Sequence, residues 1–201
     1  MTESHIAWMI EQSMRDQGAD DVSFRPLIVA AGKGSSEPHH VPGEYKVQHG
    51  DMVQFDIGAR YRGYGADLSR VAVLGGPSVE QTRLYEHVLK VQEYGIALVH
   101  SGADGVLIDE ECKKMVENAG YPRYPHGLGH GIGLAPSVHE DPFLSSRLTT
   151  PVLLRAGMVL TVEPGIYVPG AGGVRIEDVV LVQEGGAGQL SHADKSLIVL
   201  S

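Results

Sequence analysis

Four acidic residues and one histidine, all in glycine-rich or apolar surroundings, constrain most strongly how this chain can fold. In chain order they are Asp56, Asp67, His130, Glu163 and Glu177. The acids of VQFDIG and LTVEPG stand at the ends of apolar strand segments, where carboxylates are depleted and rarely buried unpaired. Any one acid alone would be read as a turn or strand-end residue facing water. Four gathered together would repel one another strongly, so the pattern favours a fold that closes around cations.

The chemistry of this set indicates which ions it can hold. It is rich in oxygen ligands, with one imidazole and no thiolate, which suits Mn²⁺ and also Co²⁺, Zn²⁺ or Fe²⁺. A structural zinc site would bring cysteines or more histidines. In two-metal hydrolases, bridging carboxylates hold the ions roughly 3.5–4 Å apart. The sequence therefore predicts two divalent ions, with Mn²⁺ the first choice, and hydrolysis without a serine or cysteine nucleophile.

Composition excludes several classes of function. The length of 201 residues fits one domain. A net charge of −9 and the lack of a basic run disfavour nucleic acid and anionic membranes as partners. The single cysteine, Cys112, lies in a helical pattern and is expected to be an ordinary helix residue. With no signal-peptide pattern in MTESHIAWMI, the predicted location is the cytoplasm.

Periodicity predicts three helices and several strands. The helices are expected over 3–17, 78–99 and 109–119, and the first strands over 26–31 and 51–57. Ser78 and Gln81 form a capping-box pattern at the start of the second helix. Strand 51–57 and the following ADLSRVAVL are expected to form a hairpin. Its two arms would carry Asp56 and Asp67 toward one point.

A weak internal repeat links the two ends of the chain. MVQFDIGARY (52–61) resembles VLTVEPGIY (159–167), and each is followed by a turn and a strand with another acid. Two related halves, each giving two carboxylates, suggest a site on a pseudo-twofold axis. Within the second half, Arg175 and Glu177 share one face of a strand. Either they form an ordinary ion pair, or Arg175 orients a ligating carboxylate.

Four histidines lie in loops beside glycine or proline: His39, His126, His130 and His139. HGLGH would be a ligand pair on a helix, but its glycines argue against helix, so His126 and His130 are expected to differ in role. A histidine that is not a ligand can donate hydrogen bonds to a substrate carbonyl or to a tetrahedral oxyanion. His40, next to His39, stays ambiguous.

At these residues the chain resembles the metal-dependent pita-bread peptidases, and within them the Xaa-Pro branch of prolidase and aminopeptidase P. The motifs that carry the resemblance are IAWMIEQSMRDQGA, VAAGKGSSEPHH, FDIGARYRGYGADLSR, HGLGHGIGL, VHEDPF, TVEPGIYV and GGVRIEDVVLV. The resemblance implies an α+β fold of two pseudo-twofold-related halves, with a curved, mostly antiparallel sheet covered by helices. It also implies a single catalytic domain, 1–201, without the N-terminal domain usual in the family, and leaves a homodimer open.

The resemblance further implies roles for individual residues. The metal ligands are the five named above, Glu163 also shuttles a proton, and the remaining catalytic and substrate-contacting positions fall on His39, Tyr64, His126, His139 and Arg175. Of these, Tyr64, His39 and His139 are expected to contact the substrate, a proline-containing peptide. The implied activity is that of a metallo-exopeptidase, an Xaa-Pro aminopeptidase or dipeptidase.

Two departures and three alternatives accompany this expectation. HGIGLAPSVHE is two residues longer than the usual HGIGL-x-V-HE, and Ser69 stands where threonine is common.

A methionine-aminopeptidase-like enzyme is the first alternative: it shares the five ligands, although GVRIED is typical of the Xaa-Pro branch. A non-catalytic peptide-binding module and a metal-independent C–N hydrolase of the creatinase kind are the others, and the intact ligand set argues against both.

Overall fold

The structure, a computed structural model, describes residues 1–201. Its helices are α1 Glu3–Asp16, α2 Val79–Leu98 and α3 Gly105–Asn118. Its strands β1 to β14 are, in order, Asp21–Val22, Ile28–Ala31, Met52–Ile57, Ala59–Tyr61, Tyr64–Gly65, Leu68–Leu74, Gly129–Gly131, Glu140–Leu144, Val159–Val162, Gly165–Val168, Gly172–Arg175, Asp178–Gln183, Gly186–Gln189 and Ile198–Leu200. The α+β class expected from the sequence is confirmed.

Local capping explains where the helices begin. The Ser78 hydroxyl accepts from the Gln81 amide while the Gln81 side chain accepts from the Ser78 amide, so the predicted capping box is present at α2. Helix α3 starts four residues earlier than its apolar pattern predicts. Asp104 caps it, because its carboxylate accepts from the backbone N–H of Val106 at 2.9 Å.

Two larger sheets form the body of the molecule. One has the strand order β14-β6-β3-β2 and the other the order β13-β12-β9-β7-β8. Smaller sheets pair β10 with β11 and place β4 between β1 and β5. Every pairing is antiparallel except that of β14 with β6. The expected mostly antiparallel architecture is therefore observed.

The two halves place their acids in the same way. Strand β3 pairs with β6 as β9 pairs with β12, antiparallel in both cases. Asp56 lies at the end of β3 and Asp67 directly before β6. Glu163 directly follows β9 and Glu177 directly precedes β12. The repeat read from the sequence thus corresponds to two equivalent strand pairs, each delivering one acid per strand.

The main core lies between the second large sheet and helices α2 and α3. Val88 and Val91 of α2, Cys112 of α3 and Leu160 of β9 belong to one buried cluster. Cys112 is fully enclosed, and burial raises the pKa of its thiol to about 12, so it is a core side chain as predicted. None of the three helices combines the length and apolar character that a bilayer crossing demands.

Candidate metal centre and catalytic site

His130 presents one ring nitrogen to a group of carboxylates. Its Nδ1 lies 2.9 Å from the carbonyl oxygen of Gly131 and must donate, because a carbonyl only accepts. In the neutral ring this leaves the lone pair of Nε2 free. That nitrogen lies 3.6 Å from Oδ2 of Asp67 and 3.5 Å from Oε1 of Glu163. The imidazole is therefore oriented as a ligand between two acids.

Three of the predicted ligands meet in one small volume. Ligand atoms of Asp67, His130 and Glu177 all lie within 4.8 Å of one another, and all three residues are buried. Glu163 joins them through His130, while the carboxylate of Asp56 pairs with the guanidinium of Arg175. The structure thus brings the five predicted ligand residues to one place, although Asp56 is held partly by an arginine.

Unpaired oxygens at this place point to a cation. Buried oxygens of Asp56 (Oδ1), Asp67 (Oδ1) and Glu177 (Oε1) have no hydrogen-bond partner. The neighbouring acid Asp178 is equally buried, yet it accepts from four side chains, those of Arg70, Gln92, Ser191 and Lys195. Buried carboxylates are normally satisfied in that way. The contrast fits a set of acids whose free lone pairs are for divalent ions.

Burial and mutual repulsion raise the pKa values of these acids. The pKa of Asp67 is raised well above its ordinary value by burial and then by the charges of Asp56 and Glu163. Burial and the charge of Asp67 raise the pKa of Glu177 likewise. Burial also raises the pKa of Glu163, against the opposing effect of His130. Divalent ions would relieve this repulsion, which is the electrostatic condition for their binding here.

Arg175 organises the polar groups around the acids. Its Nε donates to the Ser69 hydroxyl at 3.0 Å, and that hydroxyl donates in turn to Oε2 of Glu177 at 2.8 Å. A second nitrogen of the guanidinium, Nη1, donates to the carbonyl of Pro38 at 3.1 Å. The same side chain also pairs with Asp56. Of the two readings left open by the sequence, these contacts match an arginine that orients ligating carboxylates.

A buried tyrosine connects Arg175 to His126. Nη1 of Arg175 donates to the hydroxyl of Tyr167 at 2.8 Å, and that hydroxyl lies 2.9 Å from Nε2 of His126. The other ring nitrogen of His126 donates to the carbonyl of Gly127 at 2.8 Å. Burial lowers the pKa of His126 to about 3, so the ring is neutral and Nε2 accepts from Tyr167. His126 and His130 therefore differ in role, as their glycine-rich loop predicts.

Tyr167 and Thr161 are site residues that the sequence did not single out. The Thr161 hydroxyl donates to Oε1 of Glu163 at 3.3 Å and accepts from the backbone N–H of His130 at 3.1 Å. The only signal for Tyr167 is its place in GIY, which parallels the Gly and Tyr after Asp56. Thr161 looks like any β-branched strand residue, so nothing in the sequence distinguished it.

A cavity of about 680 Å³ gives access to the acids and collects three predicted histidines. His39, His126 and His139 line it together with Asp56, Asp67, His130, Glu163 and Arg175. The ring of His139 lies against that of His130, with centroids 4.3 Å apart and planes tilted by 55°. Burial and the neighbouring His130 lower the pKa of His139. The apolar part of the wall includes Phe24, Ile28, Val138, Phe143 and Leu148.

The neighbouring pair His39 and His40 divides into two environments. His40 directs Nε2 to the buried carboxylate of Glu3 at 2.9 Å, which raises its pKa against the effect of burial. His39 is exposed and makes no such contact. Tyr64, in contrast, is not brought to the site: its side chain is 61% exposed and lies outside the cavity lining. Its expected contact with substrate stays a prediction.

Comparison with known proteins agrees with this geometry. Residues 1–184 match the model of metallopeptidase family M24, so the chain belongs to that family. An uncharacterised peptidase of Bacillus subtilis is 41% identical over 201 residues, which are 100% of this chain and 56% of the relative. An Xaa-Pro dipeptidase of Pyrococcus furiosus is 38% identical over 197 residues, 98% of this chain and 55% of the relative.

Solved structures show the same fold. An X-Pro aminopeptidase from Thermotoga maritima superposes with a TM-score of 0.94 at 40% identity, over 100% of this chain and 56% of that one. A variant of Escherichia coli aminopeptidase P superposes with a TM-score of 0.82 at 28% identity, over 94% of this chain and 49% of that one. The pita-bread fold expected from the sequence is confirmed. The chain spans about half the length of the curated relatives it matches.

Proposed function

We propose that this chain is the catalytic domain of a dinuclear metallo-exopeptidase that hydrolyses the Xaa-Pro bond at the N-terminus of a peptide. One observation carries the proposal: buried, unpaired carboxylate oxygens surround an imidazole whose free nitrogen faces them. The ligands would be Asp56, Asp67, His130, Glu163 and Glu177. Mn²⁺ is the first choice for both ions, with Co²⁺, Zn²⁺ or Fe²⁺ as alternatives, since the set is oxygen-rich with one imidazole.

Bound ions would polarise the scissile carbonyl and lower the pKa of water to near neutral, which removes the need for a side-chain nucleophile. Glu163 would accept and return a proton at its carboxylate, because it lines the cavity beside His130; burial raises its pKa above the ordinary value. Its Oε1 is oriented by the Thr161 hydroxyl at 3.3 Å. The protein therefore orients its proposed general base with one of its own side chains.

The cavity histidines would handle the developing negative charge on the substrate oxygen. His39 and His139 are exposed at the cavity wall and can donate hydrogen bonds there. His126 also lines the cavity, but both of its nitrogens already have protein partners, and Nε2 accepts from the Tyr167 hydroxyl. Tyr167 is buried outside the cavity lining between His126 and Arg175, so it would hold the His126 ring in place.

Proline at the second substrate position fits this chemistry. An Xaa-Pro bond is a tertiary imide that offers no N–H and a fixed ring. A site that acts on the carbonyl through ions and histidine donors needs no contact with the missing N–H. Relatives named Xaa-Pro dipeptidase and X-Pro aminopeptidase support this substrate class. A methionine-aminopeptidase-like activity is the alternative, and a homodimer and a cytoplasmic location stay predictions.

Metal analysis coupled to a peptide assay tests the proposal. Purified protein should bind about two Mn²⁺ or Co²⁺ per chain and release the N-terminal residue from Xaa-Pro dipeptides and tripeptides. A chelator should stop the release, and added Mn²⁺ should restore it. Matched Xaa-Ala and Met-Ala peptides separate the Xaa-Pro reading from the methionine-aminopeptidase reading. Two bound ions without turnover of any peptide would instead favour a non-catalytic binding module.

A further inference from the structure

His139 lies in the loop between β7 and β8. We call residues 133–139 the rim loop, since it brings His139 to the cavity wall. The imidazole of His139 makes no hydrogen bond to the protein, and its main-chain N–H and carbonyl bind only the nearby hydroxyl of Ser137. The position of the ring is therefore set by the backbone of the rim loop.

The side chain of Arg60, in the other half of the molecule, donates hydrogen bonds to this loop. Its Nη2 donates to the carbonyls of Ala135 at 3.0 Å and Pro136 at 3.2 Å. Its Nη1 donates to the carbonyl of Gly63 at 2.7 Å. All three acceptors are main-chain oxygens, and Arg60 forms no ion pair with an acid. A guanidinium presents several N–H donors in one rigid plane, which suits it to bridging separate carbonyls.

The contact also links the rim loop to the ligand-bearing hairpin. Arg60 lies on β4, between Asp56 and Asp67 in the sequence. Next to it, the N–H of Gly65 donates to the carbonyl of Gly133 at 2.8 Å. The loop is thus tied at its start by the backbone and in its middle by the Arg60 side chain. The Glu140 carboxylate adds a further tie at the same residue, since it accepts from the N–H of Ala135 at 3.0 Å.

We propose that Arg60 is a positioning residue that holds the rim loop so that His139 faces the candidate metal centre. This inference rests on the proposed function, because the role of His139 belongs to that reaction. Without this tie the loop would be free to move the His139 ring away from the His130 ring, whose centroid lies 4.3 Å away. A small displacement of a catalytic group lowers the rate far more than it changes metal binding.

A double-mutant cycle tests the coupling. Arg60→Gln should lower kcat for an Xaa-Pro dipeptide by roughly ten- to a hundredfold, with KM and Mn²⁺ stoichiometry little changed. Arg60→Lys keeps the charge but not the planar set of donors, so it should recover only part of the loss. In a His139→Ala background the same Arg60→Gln change should cost no more than about twofold. Equal losses in both backgrounds would show that Arg60 acts without His139 and would overturn the proposal.

Arg62 gives a matched control on the same hairpin. Its guanidinium stacks over Tyr61 at 5.2 Å and reaches no carbonyl of the rim loop. Arg62→Gln removes the same charge and should leave kcat unchanged. An equal loss in the Arg62 variant would mean that net charge near the cavity, and not loop positioning, is responsible, and it would also overturn the proposal.

Hydrogen exchange provides a readout that does not depend on turnover. The amides of the rim loop should exchange faster in Arg60→Gln than in wild type, and those of Arg62→Gln should not. If wild type hydrolyses no Xaa-Pro peptide, the proposed function fails, whatever exchange shows. If wild type is active but Arg60→Gln neither loses activity nor speeds exchange, the proposed function stands and the Arg60 assignment fails.

Discussion

The hydroxyl of Ser69 donates a 2.8 Å hydrogen bond to Oε2 of Glu177, deep under the candidate metal centre. The oxygen of the Ser69 hydroxyl accepts in turn from Nε of Arg175 at 3.0 Å, so the fully buried Ser69 links a cation to an acid. The other carboxylate oxygen of Glu177, Oε1, has no hydrogen-bond partner in the protein. One oxygen of the carboxylate is thereby anchored and the other is presented to an ion.

Removing this anchor should weaken metal binding without unfolding the chain. We expect Ser69→Ala to lower affinity for Mn²⁺ by roughly 10–100-fold, since groups that orient ligands typically contribute that much. Ser69→Thr keeps the hydroxyl and is the matched control. Calorimetric titration of both variants measures the effect. Identical Mn²⁺ affinities for the alanine and threonine variants would show that Ser69 does not orient Glu177.

Loss of a ligand should have a larger and simpler effect. Asp67→Ala and Glu177→Ala should each abolish both metal retention and peptide turnover, because each removes a buried oxygen donor facing His130. Glu184→Ala, an exposed acid in the turn after β12, is the control and should change neither. Metal content after dialysis and an Xaa-Pro assay give the two readouts. Normal hydrolysis by the Asp67 variant would refute the ligand assignment.

His126 should affect rate and spare metal. His126→Ala removes the acceptor of the Tyr167 hydroxyl, and we expect kcat to fall about 100-fold with two ions still bound. Because burial lowers the pKa of His126 to about 3, the ring is neutral throughout the working range. The fall in kcat should therefore be the same at about pH 6 and at about pH 8. His192→Ala, on the surface, is the control, and a pH-dependent loss would contradict this role.

The stability of metal-free protein should depend on the protonation of Glu177. Its pKa is raised in the fold above the ordinary 4.5, so at higher pH the folded state keeps a proton that the unfolded state has released. Stability then falls as pH rises, by up to about 1.4 kcal/mol per pH unit for one proton. Urea unfolding in chelator from pH 5 upward should show wild type weakening relative to Glu177→Gln. Parallel pH curves would contradict the raised pKa.

Motif chemistry and strand alternation predicted the fold and where the candidate ligand acids lie on its strands, because both signals are local in sequence. VQFDIG and LTVEPG each state that an acid ends an apolar strand, and the structure confirms two equivalent strand pairs at those segments. Ser78 likewise identified the start of α2. Asp104, by contrast, caps α3 ahead of its apolar stripe, so periodicity alone placed that helix four residues late.

Contacts between segments that are distant in the sequence could not be predicted from it. Nothing local shows that Arg60 reaches Ala135, or that Tyr167 lies between His126 and Arg175. The same holds for His40, whose partner Glu3 is the first residue of α1. Such pairings depend on how the halves are docked, which composition and periodicity do not encode. Tyr64 shows the converse, a motif residue whose side chain the fold leaves in solvent.

The division of the ligand set between the strand pairs has a mechanical consequence. Asp56 and Asp67 belong to the N-terminal pair, whereas His130, Glu163 and Glu177 come from the C-terminal portion. Ions held by all five residues would form a reversible cross-link between the two strand pairs. Chelation would then loosen the packing of one strand pair against the other as well as stop the reaction.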